Sequence, residues 1–230
     1  MSRRSEATRR RLIAAARALI VAEGLDISLS DVAERAGVTR MTLYRHFGPR
    51  RELLLEVLLE DVAPVAETAG ALLTDPTLPL PDRAHRAMCH ATVSLSATPL
   101  LLGVLGDGSV SGGLSSIDPS GALRGLLTSA IGPFLREAED AGLLRGSSEE
   151  ALSWVTRQVV ASVVGWRSGV DAALVSRQVA LFFVPSLLQV DLADCERLAT
   201  AVVDPNRTAT SASAAQPGDP AGDGAGDGRA

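Results

Sequence analysis

The chain has 230 residues, 46% of them hydrophobic and 21% charged, enough to bury a sizeable core as one large domain or two small ones. No apolar run reaches the roughly 18 to 20 residues of a membrane span, no apolar block with a cleavage site follows the first arginines, and two cysteines cannot make a disulfide framework, so a soluble protein of the reducing cytoplasm is expected. The net charge of −5 is unevenly spread: residues 1–51 carry 11 arginines against 5 acidic residues, residues 52–230 carry 11 against 22, and all 22 cationic side chains are arginine.

A basic head on an acidic body suits a chain whose one end meets a polyanion. In that head Leu12, Ala15, Ala16, Leu19 and Ile20 recur at the spacing of one helical face, with Ser5 or Thr8 as a possible cap and Gly24 as the stop. Ser28-Leu29-Ser30-Asp31 reads as a capping box opening a short helix to Ala36, which Gly37 ends. Thr39 caps a third helix to about Phe47, Gly48-Pro49 breaks the chain, and a fourth helix carries Leu53, Leu54, Val57 and Leu58 towards Pro64. Further helices are expected over 82–97, 99–106, 120–141, 148–166, 174–190 and 192–202. Residues 106–113 read as a glycine-rich mobile loop, and from Asp204 onward no large apolar residue remains, so a disordered tail is expected. No strand pattern of useful length appears, and the fold class is all-α.

Residues 28–47 carry the sharpest signal. A helix-turn-helix needs a small residue where its helices cross, a residue tolerant of positive φ in the turn, and an apolar residue closing the small core; Ala33, Gly37 and Leu43 meet these demands. The third helix then presents Thr39, Arg40, Met41, Thr42, Tyr44, Arg45 and His46 from an N-terminus able to meet a phosphate. Arg40 can take a guanine bidentately, Thr42 or Met41 can touch a thymine methyl, and Arg3, Arg4, Arg9, Arg10 and Arg11 form a basic arm for the backbone.

Leu12-x-x-Ala15-Ala16-x-x-Leu19-Ile20-x-x-x-Gly24, Asp31 to Thr39, Thr42-Leu43-Tyr44-Arg45-His46-Phe47 and Arg50-x-x-Leu53 together resemble the N-terminal domain of the TetR/AcrR family of bacterial transcriptional regulators, over about residues 8–58. The resemblance implies homodimeric, mostly repressing proteins with a divergent helical C-terminal domain that dimerises and binds a small molecule. It places Ser28, Thr39, Arg40, Thr42, Tyr44, His46 and Arg50 at DNA-contacting positions, Tyr44 and Arg50 mainly on phosphates. Met41 stands where a small residue is usual, and Arg50 where Lys is commoner.

The remainder matches no motif. His85, Cys89 and His90 form the only His/Cys cluster, which reads as a buried thiol beside helix histidines in preference to a metal site. No cofactor motif and no nucleophile–base pair is visible, so an enzyme is not expected. On 82–97 Met88 and Thr92, and on 148–166 Trp154 and Gln158, fall on faces suited to a small, largely hydrophobic effector; ordinary bundle core explains them equally well. Ser153, Arg157, Ala161 and Gly165 form a stripe of mostly small residues expected to meet a second copy, with Val175, Val179, Phe182, Phe183 and Ser186 beside it. The domains expected are 1–51 for DNA, 52–203 for ligand and dimer, and 204–230 as tail. The function expected is a dimeric regulator, most simply a repressor, of near-palindromic operator DNA. Activation, a constitutive DNA-binding role, or an RNA- or protein-binding scaffold are the alternatives.

Overall fold

The computed structural model describes residues 3–106, 118, 120–165 and 170–200. Among them every regular element is helical, apart from an isolated antiparallel bridge between Leu144 and Leu188. The elements are α1 (Arg3–Glu23), α2 (Leu29–Arg35), α3 (Arg40–Phe47), α4 (Arg50–Leu73), α5 (Leu80–Ser96), α6 (Pro99–Gly106), α7 (Ala122–Asp140) and α8 (Ser148–Gly165). Then come α9 (Ala172–Gln178), a π-helical turn (Val179–Phe183), α10 (Val184–Leu187) and α11 (Leu192–Thr200). The expectations for residues 107–113, Trp166 and the tail lie outside the described residues.

The head is α1 to α3 with the first turns of α4. Leu12, Ile13, Val32, Leu43 and Leu53 are fully buried in one small core; each such side chain contributes roughly 1.5–3 kcal/mol by leaving water. α2 ends as a Schellman motif: the Gly37 N–H donates to Glu34 O and the Val38 N–H to Ala33 O, with Gly37 at φ +64°. A side chain at 37 would strain that backbone, and the angle between α2 and α3 depends on it.

Two expected boundaries move. α1 begins at Arg3, ahead of both proposed caps, and Thr8 instead donates to the Arg4 carbonyl from inside the helix. α4 does not stop near Pro64 but runs on to Leu73. Pro64 and Glu60 both sit on the exposed side, while Val62, Ala66, Ala69 and Leu73 are buried on either side of the break. Packing of that face outweighs one lost hydrogen bond. The expected border at residue 51 therefore falls inside a continuous helix.

The body packs α4 against α5 and α7, with α8 and the α9–α10 segment closing the other side. Arg83, 7% exposed, joins layers here: it reaches both Glu137 oxygens on α7, at 2.9 and 3.0 Å, and donates to Leu78 O. α6 touches α1 as well as α8. A Cβ at Gly103 would lie 3.0 Å from Leu25 Cγ, so glycine permits that close approach of body to head.

Candidate nucleic-acid interface and ligand cavity

The helix expected to carry the DNA contacts is α3. The Thr39 hydroxyl accepts from the Thr42 N–H at 3.2 Å and shares a 2.9 Å hydrogen bond with the Thr42 hydroxyl, so one cap orders both side chains. Leu43 and Phe47 face inward; Thr39, Arg40, Met41, Tyr44 and Arg45 face outward, with Met41 77% exposed. A methionine this exposed has no packing role in the free chain. Arg45, which the motif left unassigned, lies one turn from Met41 and makes no ion pair among the described residues. Ser28 is exposed at the start of α2, where its hydroxyl accepts from the Ser30 N–H at 3.1 Å, one residue earlier than a capping box requires. His46 is half-buried with its ring against Phe47.

Two cations assigned to phosphate are already engaged. Arg50 donates to the carbonyls of Leu25 and Ile27, which braces the α1–α2 loop. Arg9 pairs with Glu56 and lies over the Phe47 ring, 5.5 Å from its centroid. Arg17 reaches Asp61 at 2.6 Å and Glu60 at 3.5 Å. These pairs form a seam between α1 and α4. Arg11 remains exposed on α1.

In the body, Met88, Thr92, Trp154 and Gln158 all line one cavity of about 300 Å³ between α5, α8 and the α9–α10 segment. Val179 and Phe183 are two of the residues expected to meet a second copy beside the α8 stripe. Both also line this cavity, Val179 6% exposed and Phe183 stacked on Trp154 with ring centroids 5.3 Å apart. A π-helical turn spans Val179–Phe183, and Phe182, 68% exposed, stands at the edge of the same cavity. Arg157, Ala161 and Gly165 are exposed along α8, Arg157 donating to Ser153 Oγ at 2.7 Å. A smaller, wholly apolar void of about 50 Å³ lies deeper, touching Ala69 and Leu73 of α4 and sharing Met88 and Phe183 with the first.

His85 and Cys89 serve the frame of this site. The buried His85 Nε2–H donates to Ser176 O at 3.0 Å, tying α5 to α9, and burial holds its pKa below the ordinary 6.5. Burial pushes the Cys89 thiol up to about 12, so it stays a neutral thiol.

Residues 12–57 match the family described as bacterial regulatory proteins, tetR family. An uncharacterized HTH-type transcriptional regulator of Mycobacterium tuberculosis (strain ATCC 25618 / H37Rv) is 31% identical over 139 residues, covering 57% of this chain and 63% of that protein's length. The fold is that of RolR in complex with resorcinol, at TM-score 0.63 and 19% identity over 88% of this chain and 98% of that one. It is also that of NalD, the secondary repressor of the MexAB-OprM multidrug efflux pump in Pseudomonas aeruginosa, at TM-score 0.58 and 19% identity over 82% and 99% of the two chains.

Proposed function

We propose that this chain, a member of the tetR family of bacterial regulatory proteins, is a homodimeric cytoplasmic repressor released from a near-palindromic operator by a small, largely apolar effector. The observation that carries the reading is the course of α4. Its start is clamped to the head through the Arg9–Glu56 and Arg17–Asp61 pairs, and its far end packs on α5, the helix bearing Met88 and Thr92. One helix therefore spans the distance from a DNA-reading face to a cavity wall.

A single short recognition helix makes few base contacts, so useful affinity needs two heads, whose helices must meet major grooves about 34 Å apart. The exposed α8 stripe of Arg157, Ala161 and Gly165 is the surface assigned to the second copy. An effector that binds the released arrangement better than the DNA-bound one shifts the equilibrium by that difference in affinity. The resorcinol complex of RolR and the repressor named for NalD support a small effector and a repressing sense. No helix among the described residues is long and apolar enough to cross a membrane.

The test is selection of a binding site from random duplexes, followed by anisotropy titrations with a compound panel. A compound that raises the Tm should abolish binding to the selected site, and saturating DNA should weaken that compound by the same factor. If every stabilising compound leaves DNA affinity unchanged, release by an effector is wrong.

A further inference from the structure

The two cavities of the body differ in character and meet at Met88 and Phe183, which line both. The outer one, about 300 Å³, has a mixed wall. On it the half-buried Gln158 and Ser162 of α8 keep accessible polar atoms that make no hydrogen bond among the described residues. The inner one, about 50 Å³, is lined by hydrocarbon alone. It exists because Ala69 of α4 and Ala84, Ala87 and Ala91 of α5 stand in its wall, where the rest of the core fills with leucine and valine. A void of this kind stays dry, so filling it gains dispersion contacts without displacing water. An apolar cavity of about 150 Å³ accepts benzene; this smaller one accepts a chain end and not a ring. Met88 is the part of the partition that can give way, being unbranched and flexible, whereas Phe183 is held on the Trp154 ring.

We infer that the two cavities form one site for a neutral, straight-chain amphiphile, whose polar head group stays in the outer cavity while its hydrocarbon tail passes Met88 into the inner one. This rests on the effector reading above and names the chemical class of the effector. Neutrality follows from the lining, since no charged side chain borders either cavity to offset the desolvation of an ion. Of the two cavities only the inner one touches α4, at Ala69 and Leu73, so the tail and not the head pushes on that helix.

Primary alkanols from 1-butanol to 1-decanol test this in calorimetric titrations of the full chain without DNA. One alkanol should bind per chain, with affinity rising roughly fourfold per methylene and levelling off once the inner cavity is full. Cyclohexylmethanol should bind about tenfold more weakly than 1-heptanol, and octanoate about tenfold more weakly than 1-octanol. Ala91→Leu, which fills part of the inner cavity, should weaken 1-octanol roughly tenfold and leave 1-butanol unchanged. Ala69→Val should do the same more mildly from the α4 side. If overpacking unfolds either variant, the wild-type length series still decides. The site is overturned if no alkanol saturates the chain, if affinity is independent of chain length, or if cyclohexylmethanol or octanoate matches its counterpart. It is also overturned if a folded Ala91→Leu weakens 1-butanol and 1-octanol alike. Should 1-octanol bind as described and leave operator affinity intact, the site stands and effector release falls. Should another compound release the operator while no alkanol binds, effector release stands and the site falls.

Discussion

The Arg40 guanidinium lies over the Tyr44 ring, 5.5 Å from its centroid, and donates to the phenol oxygen at 3.1 Å. Without DNA the Arg40 side chain thus rests against the next turn of the same helix. Leaving that contact costs about 0.5–1 kcal/mol at an exposed site, which a bidentate guanine contact exceeds. The stored position is a low-cost resting place.

Arg40→Ala should therefore lower affinity for the selected operator by roughly 1–3 kcal/mol and leave random DNA nearly unchanged. Tyr44→Phe, which keeps the ring and loses only the hydroxyl, should have a smaller effect. Anisotropy at fixed salt measures both. An equal loss on operator and random duplexes would make Arg40 a phosphate ligand.

Two arginines two residues apart on α1 should behave oppositely. Arg9→Ala removes the Glu56 pair and the contact over Phe47, and should cost about 1 kcal/mol of stability in urea unfolding. Arg11→Ala should leave the urea midpoint unchanged but reduce the salt dependence of DNA binding by about one phosphate contact. A stability loss at Arg11 with none at Arg9 would invert the seam.

The buried His85 gives stability a definite pH dependence. Its folded pKa lies below 6.5 because burial disfavours the cation. Above about 6.5 both states are neutral there and its contribution is complete. As pH falls through that value the unfolded chain takes a proton that the fold resists, and stability is lost down to the folded pKa. His85→Gln should start roughly 1–3 kcal/mol less stable at pH 8 and lose less between pH 7 and 5.5. Parallel urea curves would exclude His85 as the titrating group.

Ala161 and Phe182 probe the assigned two-fold surface. Ala161 is exposed and away from the cavity, whereas Phe182 is exposed at its edge, so Ala161→Arg is the cleaner probe and both Ala161→Arg and Phe182→Glu should fold normally in the monomer. Each should shift sedimentation towards the monomer and weaken operator binding by the loss of the second head. A variant that stays dimeric and binds DNA as before would move the interface elsewhere.

The head was legible because its determinants are local. Gly37 at the turn, Thr39 at the cap and Leu43 in the core are set by neighbours within about six residues, and all stand where the pattern puts them. That Met88 and Thr92 share one helix face, and Trp154 and Gln158 another, follows from the same local spacing. What escaped depends on distant partners. Glu56 lies 47 residues from Arg9, and the carbonyls that hold Arg50 lie 23 and 25 residues away, so a count of charges cannot tell an engaged arginine from a free one. The π-helical turn escaped because one extra residue in a turn reverses which side chain faces inward without any change in composition.

Pro64 gives α4 a mechanical character that its length alone would not. A 24-residue helix with every bond intact resists bending along its whole length, but with one rung missing on one side it bends most cheaply there. The weak point sits one turn past Glu60 and Asp61, where the arginine seam ends. Below it the rod is bolted to α1; above it the rod rides on the body. A push on the upper half is therefore taken up first as an angle at the joint, and only what remains reaches the head as a swing. The joint is a compliant hinge in series, so the head receives only a fraction of any displacement of the body.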